Sequence, residues 1–174
     1  MIKAVLIDLD DTLITTSTDK FFSAYLKAMG EYASINPPAN SFGENIVAAY
    51  GEALEAYDAT RLLYPRFLEH LVARLQYSKN EEELDRLFAG FFTKVYQDLK
   101  PMIQPRNESP PFLRWLLEHN YRVVVATNPA IPASATLIRM AWGGISPDDY
   151  PFTDITTLEN MHFGKPQPEV FEEV

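Results

Sequence analysis

The chain has 174 residues, of which 47% are hydrophobic and 22% charged, with a net charge of −9 and no cysteine. That length suits one domain, or one domain carrying a sizeable insertion. The acidic balance argues against nucleic-acid or anionic-membrane partners, which need basic surfaces, and the missing thiols exclude disulfides and thiolate metal sites.

The first element is KAVLIDL, residues 3–9, a short and nearly continuous apolar run. Such a run suits a strand covered on both faces, as in a parallel sheet. It ends in Asp8, Asp10 and Asp11. The stretch is too short, and too soon charged, for a signal peptide. No apolar run reaches the roughly 18 residues of a membrane span. A cytoplasmic location follows by elimination.

Four helical patterns come next. Phe21, Phe22, Tyr25, Leu26 and Met29 mark a helix over about 18–33, and residues 44–59 form another. Leu63, Phe67, Leu71, Val72 and Leu75 mark a third over about 62–77, where Pro65 is tolerated in the first turn. Leu84, Leu87, Phe88, Phe91, Phe92, Val95, Tyr96 and Leu99 make a wide apolar stripe over 84–99. Asn80 and Glu83 form a capping box at its start. Prolines are sparse through this region, with only Pro37, Pro38 and Pro65 before residue 100.

Beyond residue 100 the pattern alternates. Ser109 and Pro110 read as N-cap and first helical residue of a helix through His119. YRVVVAT, residues 121–127, is a second strand, its valines favouring strand over helix, and it ends at Thr127 and Asn128. Pro132 opens a helix to about Trp142, and TDITT, residues 153–157, is a weaker third strand. Alternating strands and helices predict an α/β fold with a parallel sheet. The helical block, residues 15–104, is too large for one crossover and reads as a four-helix bundle inserted after the first strand.

Ligands of open parallel sheets bind beyond the carboxyl ends of the strands. Asp8, Asp10, Thr127 and Asn128 all fall there. Two carboxylates so close repel one another. A hard cation such as Mg²⁺ relieves that, and so does protonation of one carboxyl, which turns it into a general acid. Taken singly, each signal has an ordinary explanation: aspartates in a turn, a loop start before Pro129, a surface lysine at 165. His70, His119 and His162 lack metal-ligand spacing.

Together the stretches point further. VLIDLDDTL resembles the first motif of the haloacid dehalogenase superfamily, an apolar strand followed by Asp-x-Asp-x-Thr. VVVATN is similar to its second motif, and GKPQPEVF, residues 164–171, to its third, a lysine ahead of a proline-rich helix start. The resemblance implies a Rossmann-like core from residues 1–14 and 105–174, with a C1-type helical cap at 15–104. It implies an Mg²⁺-dependent phosphatase acting on a small phosphorylated metabolite. Asp8 would attack phosphorus and form an aspartyl-phosphate. Asp10 would protonate the leaving alcohol and then activate water. The Asp8 carboxylate and the Asp10 carbonyl would hold Mg²⁺. The Thr127 hydroxyl and the Asn128 amide would hold phosphate oxygens, and Lys165 would neutralise charge.

An acid at position 10 favours phosphatase or phosphomutase chemistry over dehalogenation. A phosphomutase, less so a dehalogenase, and a non-catalytic domain binding phosphate or a partner stay as alternatives. Asp11 and Thr12 read as turn residues. The family's fourth motif, a further strand with one or two acidic metal ligands, has no counterpart before Val174. The expectation is therefore a chain cut from a longer hydrolase. Its first strand should be a bare edge, inviting two copies to pair, and its metal site should be weak.

Overall fold

The computed structural model describes residues 2–34, 39–75 and 80–174. Its main sheet is parallel and has three strands in the order β1–β4–β5: β1 Ala4–Ile7, β4 Arg122–Val125 and β5 Asp154–Ile155. Val123, Val124 and Val125 are buried, as the central position of β4 requires. β1 lies at an edge, where Leu6 is 38% exposed.

Register decides what meets at the strand ends. Ile7 pairs with Val125, and Val125 with Ile155, so all three strands stop level. Asp8 and Ala126 therefore leave the sheet side by side, with Thr127 one residue further on. The ladder continues one step further, with Ala126 donating to the Ile7 carbonyl at 2.8 Å and Thr156 to that of Val125 at 3.0 Å.

All three strands are shorter than their apolar patterns. At the first, the reason is local. Leu9 turns inward, fully buried, and its carbonyl accepts from Leu13 at 2.9 Å and Ile14 at 3.0 Å, winding the chain back on itself. Asp11 takes the left-handed conformation at φ 54°, which Asp tolerates better than most residues. Its carboxylate then accepts from the Thr16 amide at 3.0 Å. Asp11 thus fixes the turn, as a turn aspartate should.

Four helices follow: α1 Thr18–Ala33, α2 Ala39–Glu55, α3 Leu63–Leu75 and α4 Glu81–Lys94. α2 packs against both α1 and α3. It ends earlier than residue 59 because Tyr57 is left-handed at φ 45° and the Asp58 carboxylate captures the Thr60 amide at 2.8 Å. The expected end of the third helix, at residues 76 and 77, lies outside the described residues. α4 carries the capping box read from Asn80 and Glu83.

The expected helix to Leu99 is corrected. The α-helix stops at Lys94, and Tyr96–Met102 is a 3₁₀ helix. Pro101 cannot extend an α-helix, since it lacks the amide and its ring strikes the preceding turn. Tyr96 also turns fully inward. Its ring meets those of Phe21, Tyr25, Phe91, Phe92 and Trp142 at centroid distances of 5.1 to 6.2 Å. Edge-on and stacked contacts of this kind add to the burial energy of the rings. They join α1 and α4 to α6, Ala133–Trp142.

The helical segment leaves and returns through a two-stranded antiparallel ribbon. β2, Ile14–Thr15, pairs with β3, Gln104–Pro105. α5, Ser109–Glu118, begins at Ser109, which corrects its reading as an N-cap. Its hydroxyl is buried and donates to the Leu13 carbonyl at 2.7 Å, so it ties α5 to the segment after β1. The amino end of α6 is capped by Glu159, whose oxygens accept from the Ala133 amide at 3.0 and 2.9 Å. Among the described residues, no helix is long and apolar enough to cross a membrane.

Gly143 ends α6 against the fully buried Ile14, and a Cβ there would collide with the Ile14 Cγ2. Ile14 is enclosed and has no room to yield. Gly143→Ala is therefore expected to lower stability by about 1–3 kcal/mol through overpacking, read from urea unfolding. An unchanged midpoint would show that the contact relaxes freely.

Candidate active site

The level strand ends build the site. Asp8 follows β1 directly, and its Oδ1 accepts from Lys165 Nζ at 2.8 Å across 157 residues of sequence. The two side chains are 40% and 29% exposed, so water reaches the pair. Asp8 Oδ2 has no hydrogen-bond partner among the described residues.

Asn128 sets where the lysine sits. Its Oδ1 accepts from the Lys165 amide at 3.1 Å and from the Tyr50 hydroxyl of α2 at 3.3 Å. Burial raises the Tyr50 pKa, against a smaller lowering by the bond to Asn128, so the phenol stays a donor. Gln167 holds the same loop, accepting from the Gly164 amide at 3.1 Å and donating to the Leu54 carbonyl at 3.2 Å. Residue 164 must be glycine for this approach. A Cβ there would lie 2.8 Å from Tyr50 Oη and 2.9 Å from Leu54 Cδ2. The Lys165–Pro166 peptide is cis. After it comes a short 3₁₀ turn, Pro168–Phe171, in place of the helix expected from the proline-rich stretch.

Thr127 is buried at the end of β4, its carbonyl accepting from the Thr156 hydroxyl at 2.5 Å. Thr127, Asn128 and Asp10 line a cavity of about 400 Å³ that opens between the strand ends and helices α1 and α2.

Asp10 is held differently from Asp8. Its carboxylate forms an ion pair with Arg139 of α6, the two side chains being 17% and 6% exposed. The guanidinium carbon lies 4.8 Å above the ring of Phe21, a cation–π contact. Burial pulls the Arg139 pKa down to about 10, opposed by the charge of Asp8, so the group is a cation at neutral pH. Its Nε is buried with no partner among the described residues.

All five residues singled out in the sequence, Asp8, Asp10, Thr127, Asn128 and Lys165, thus meet at one end of the sheet. Tyr50 and Arg139 had not been singled out. Arg139 did leave a signal: it falls on the buried stripe Ala135, Thr136, Arg139 and Met140, where an ordinary helix places carbon. His162 lies apart from the site, its amide donating to Glu173 at 2.9 Å. His119 caps α5, with ring Nδ1 2.8 Å from the Trp115 carbonyl.

Among the described residues no group of three or more carboxylates or histidines gathers to hold a metal. The oxygen donor at hand is the partly exposed Asp8 carboxylate. Mg²⁺ asks for hard oxygen ligands and keeps several waters, often sharing a substrate phosphate. The half-exposed Asp8, with one oxygen unengaged, fits that demand as a minimal donor set.

Several solved structures resemble the chain. A HAD family enzyme from Bacteroides thetaiotaomicron is 16% identical with a TM-score of 0.47, the match covering 98% of this chain and 75% of that one. A HAD phosphatase from Thermococcus onnurineus is 17% identical with a TM-score of 0.49, covering 98% and 69%. A defluorinating L-2-haloacid dehalogenase is 18% identical with a TM-score of 0.47, covering 98% and 66%. No curated protein matches. The family model for hydrolases described as haloacid dehalogenase-like matches residues 2–174. The chain belongs to the haloacid dehalogenase-like hydrolase family.

Proposed function

We propose that the protein is an Mg²⁺-dependent phosphatase that hydrolyses a small phosphate monoester through a phosphorylated Asp8. One observation supports this most: Lys165 Nζ stands 2.8 Å from Asp8 Oδ1, at the strand ends where Thr127, Asn128 and Asp10 line a cavity. A carboxylate, a cation and donors for anionic oxygens are the parts that phosphoryl transfer needs.

In this reading a carboxylate oxygen of Asp8 forms a bond to phosphorus while the ester P–O bond breaks. The departing alkoxide takes a proton from Asp10 in its protonated form, for which the carboxyl gives up its ion pair with Arg139. Water then attacks the Asp8 phosphoryl group, Asp10 takes the proton back, and inorganic phosphate leaves with Asp8 restored. Lys165 offsets the charge that builds between Asp8 and the phosphoryl oxygens. The Thr127 hydroxyl and the Asn128 amide orient those oxygens. The Asp8 carboxylate and the Asp10 carbonyl would hold Mg²⁺, which would supply further positive charge there. Residues 15–104 act as the cap that keeps bulk water out during the step.

Hydrolysis is favoured over phosphomutase chemistry by the charge of the cavity. A mutase must hold a second phosphate. Among the described residues that line the cavity the one cation is Arg139, and it is paired with Asp10. The acid at position 10 argues against dehalogenation, where halide leaves without a proton.

Phosphate release from p-nitrophenyl phosphate tests the reading. Release is expected with Mg²⁺, abolished by chelation and restored by added Mg²⁺. A donor set this small holds the ion weakly, so activity should keep climbing well past one equivalent of metal. No release at any Mg²⁺ concentration would refute the phosphatase assignment.

A further inference from the structure

The cavity has a chemistry of its own beyond its phosphate end. Its walls are Phe21 and Phe22 of α1, Ile46 and Val47 of α2, and Ala130 and Ile131 after β4. Phe21, Ile46 and Ile131 are otherwise buried, while Val47 is 47% exposed, a carbon surface left open beside the strand ends. The polar groups are of two kinds. Thr18, Asp19 and Ser23 are exposed to water. Tyr50, Asn128, Asp10 and Arg139 bond to one another or to Lys165, while Arg139 Nε has no partner among the described residues.

We infer that the organic part of the substrate is compact, uncharged and apolar: a ring or branched alkyl group on a phosphate monoester. This rests on the phosphatase reading for its turnover, though not for its binding. Three features lead to it. A sugar ring laid against the carbon of Phe22, Val47 and Ile131 would turn hydroxyls toward groups that cannot hydrogen-bond them, costing about tenfold or more in affinity for each one left unpaired. A second anion would meet Asp10 and Asp19 with Arg139 already neutralised. An apolar ring would instead cover Phe22 and Val47, and a space of about 400 Å³ has room for one beside the phosphoryl group.

The test compares benzyl phosphate with glucose 6-phosphate. Both release a primary alcohol, so the P–O bonds are of similar intrinsic reactivity and the ratio of kcat/KM reads the pocket. Benzyl phosphate is expected to win by at least tenfold. Val47→Asp, at an exposed position that should not disturb folding, is expected to shrink that ratio below about threefold, chiefly through KM. A second readout needs no turnover. Benzylphosphonate, measured by calorimetry, should bind at least tenfold more tightly than methylphosphonate.

Glucose 6-phosphate turned over as well as benzyl phosphate would overturn the inference and leave the phosphatase reading intact. Equal binding of the two phosphonates would overturn it as well. Hydrolysis of neither ester, with the phosphonate preference retained, would defeat the phosphatase reading and uphold the apolar pocket.

Discussion

Asp8→Asn is expected to remove phosphate release by a factor on the order of 10⁴ or more while barely changing stability. An amide oxygen is a poor nucleophile, and loss of a covalent nucleophile removes nearly the whole chemical advantage of a site. The fold should not notice. The partner charge on Lys165 is partly solvated, and exposed ion pairs contribute about 0–1 kcal/mol. A change of that size moves the melting temperature of a chain this long by about 2–4 °C at most. Phosphate release and a thermal melt on one preparation check both halves. Activity above about one per cent of the parent would remove Asp8 from the nucleophile's role.

Arg139→Met should behave in the opposite way. Here the pair is enclosed, with side chains 6% and 17% exposed. Removing one member of a buried pair leaves the other as an uncompensated charge, at a cost of about 3–5 kcal/mol. That is a large share of the 5–15 kcal/mol that keeps a domain folded. The thioether can still fill space against Phe21, so the loss reads mainly the stranded charge of Asp10. Adding Asp10→Asn to Arg139→Met replaces that charge with a neutral amide and should recover much of the stability, with activity still absent. Arg139→Lys keeps the charge but loses the planar face that lies over Phe21, and should fall between the two. Urea unfolding of these proteins, with the Asp10→Asn single variant added to close the cycle, gives the coupling directly. A loss under about 1 kcal/mol in Arg139→Met would mean that water screens the pair as it does on a surface.

These two residues also mark how far the sequence could be read. Asp8 stands at the end of a run of branched apolar residues, and a strand end is a local feature that pattern reveals. The same holds for Thr127 after the valines of β4, and for Asn80 with Glu83 at the start of α4. The partner of Asp10 is 129 residues away, and only the packing of α6 under the strand ends brings it near. Tyr50 likewise acts across 78 residues, from a helix whose amphipathic pattern explains its apolar neighbours and hides its hydroxyl. Tyr96 shows the other limit. Helical periodicity continues smoothly through it, yet Pro101 and a fully enclosed ring force a tighter helix. Periodicity records which face is apolar, and a buried ring can satisfy that record in more than one backbone form.

Asn128 has a consequence for how the pocket and the chemistry communicate. One carbonyl oxygen accepts from both the main-chain amide of Lys165 and a phenol on α2. In the proposed reaction it would be a strut between the wall that meets the leaving group and the ammonium that faces the phosphoryl group. A ligand that pushes α2 outward stretches this strut and draws Lys165 away from Asp8, whereas one that fits lets it rest at full contact. If phosphoryl transfer runs as proposed, the shape of the departing group would be felt as charge placement at the phosphorus, and selectivity should surface in kcat as well as in binding.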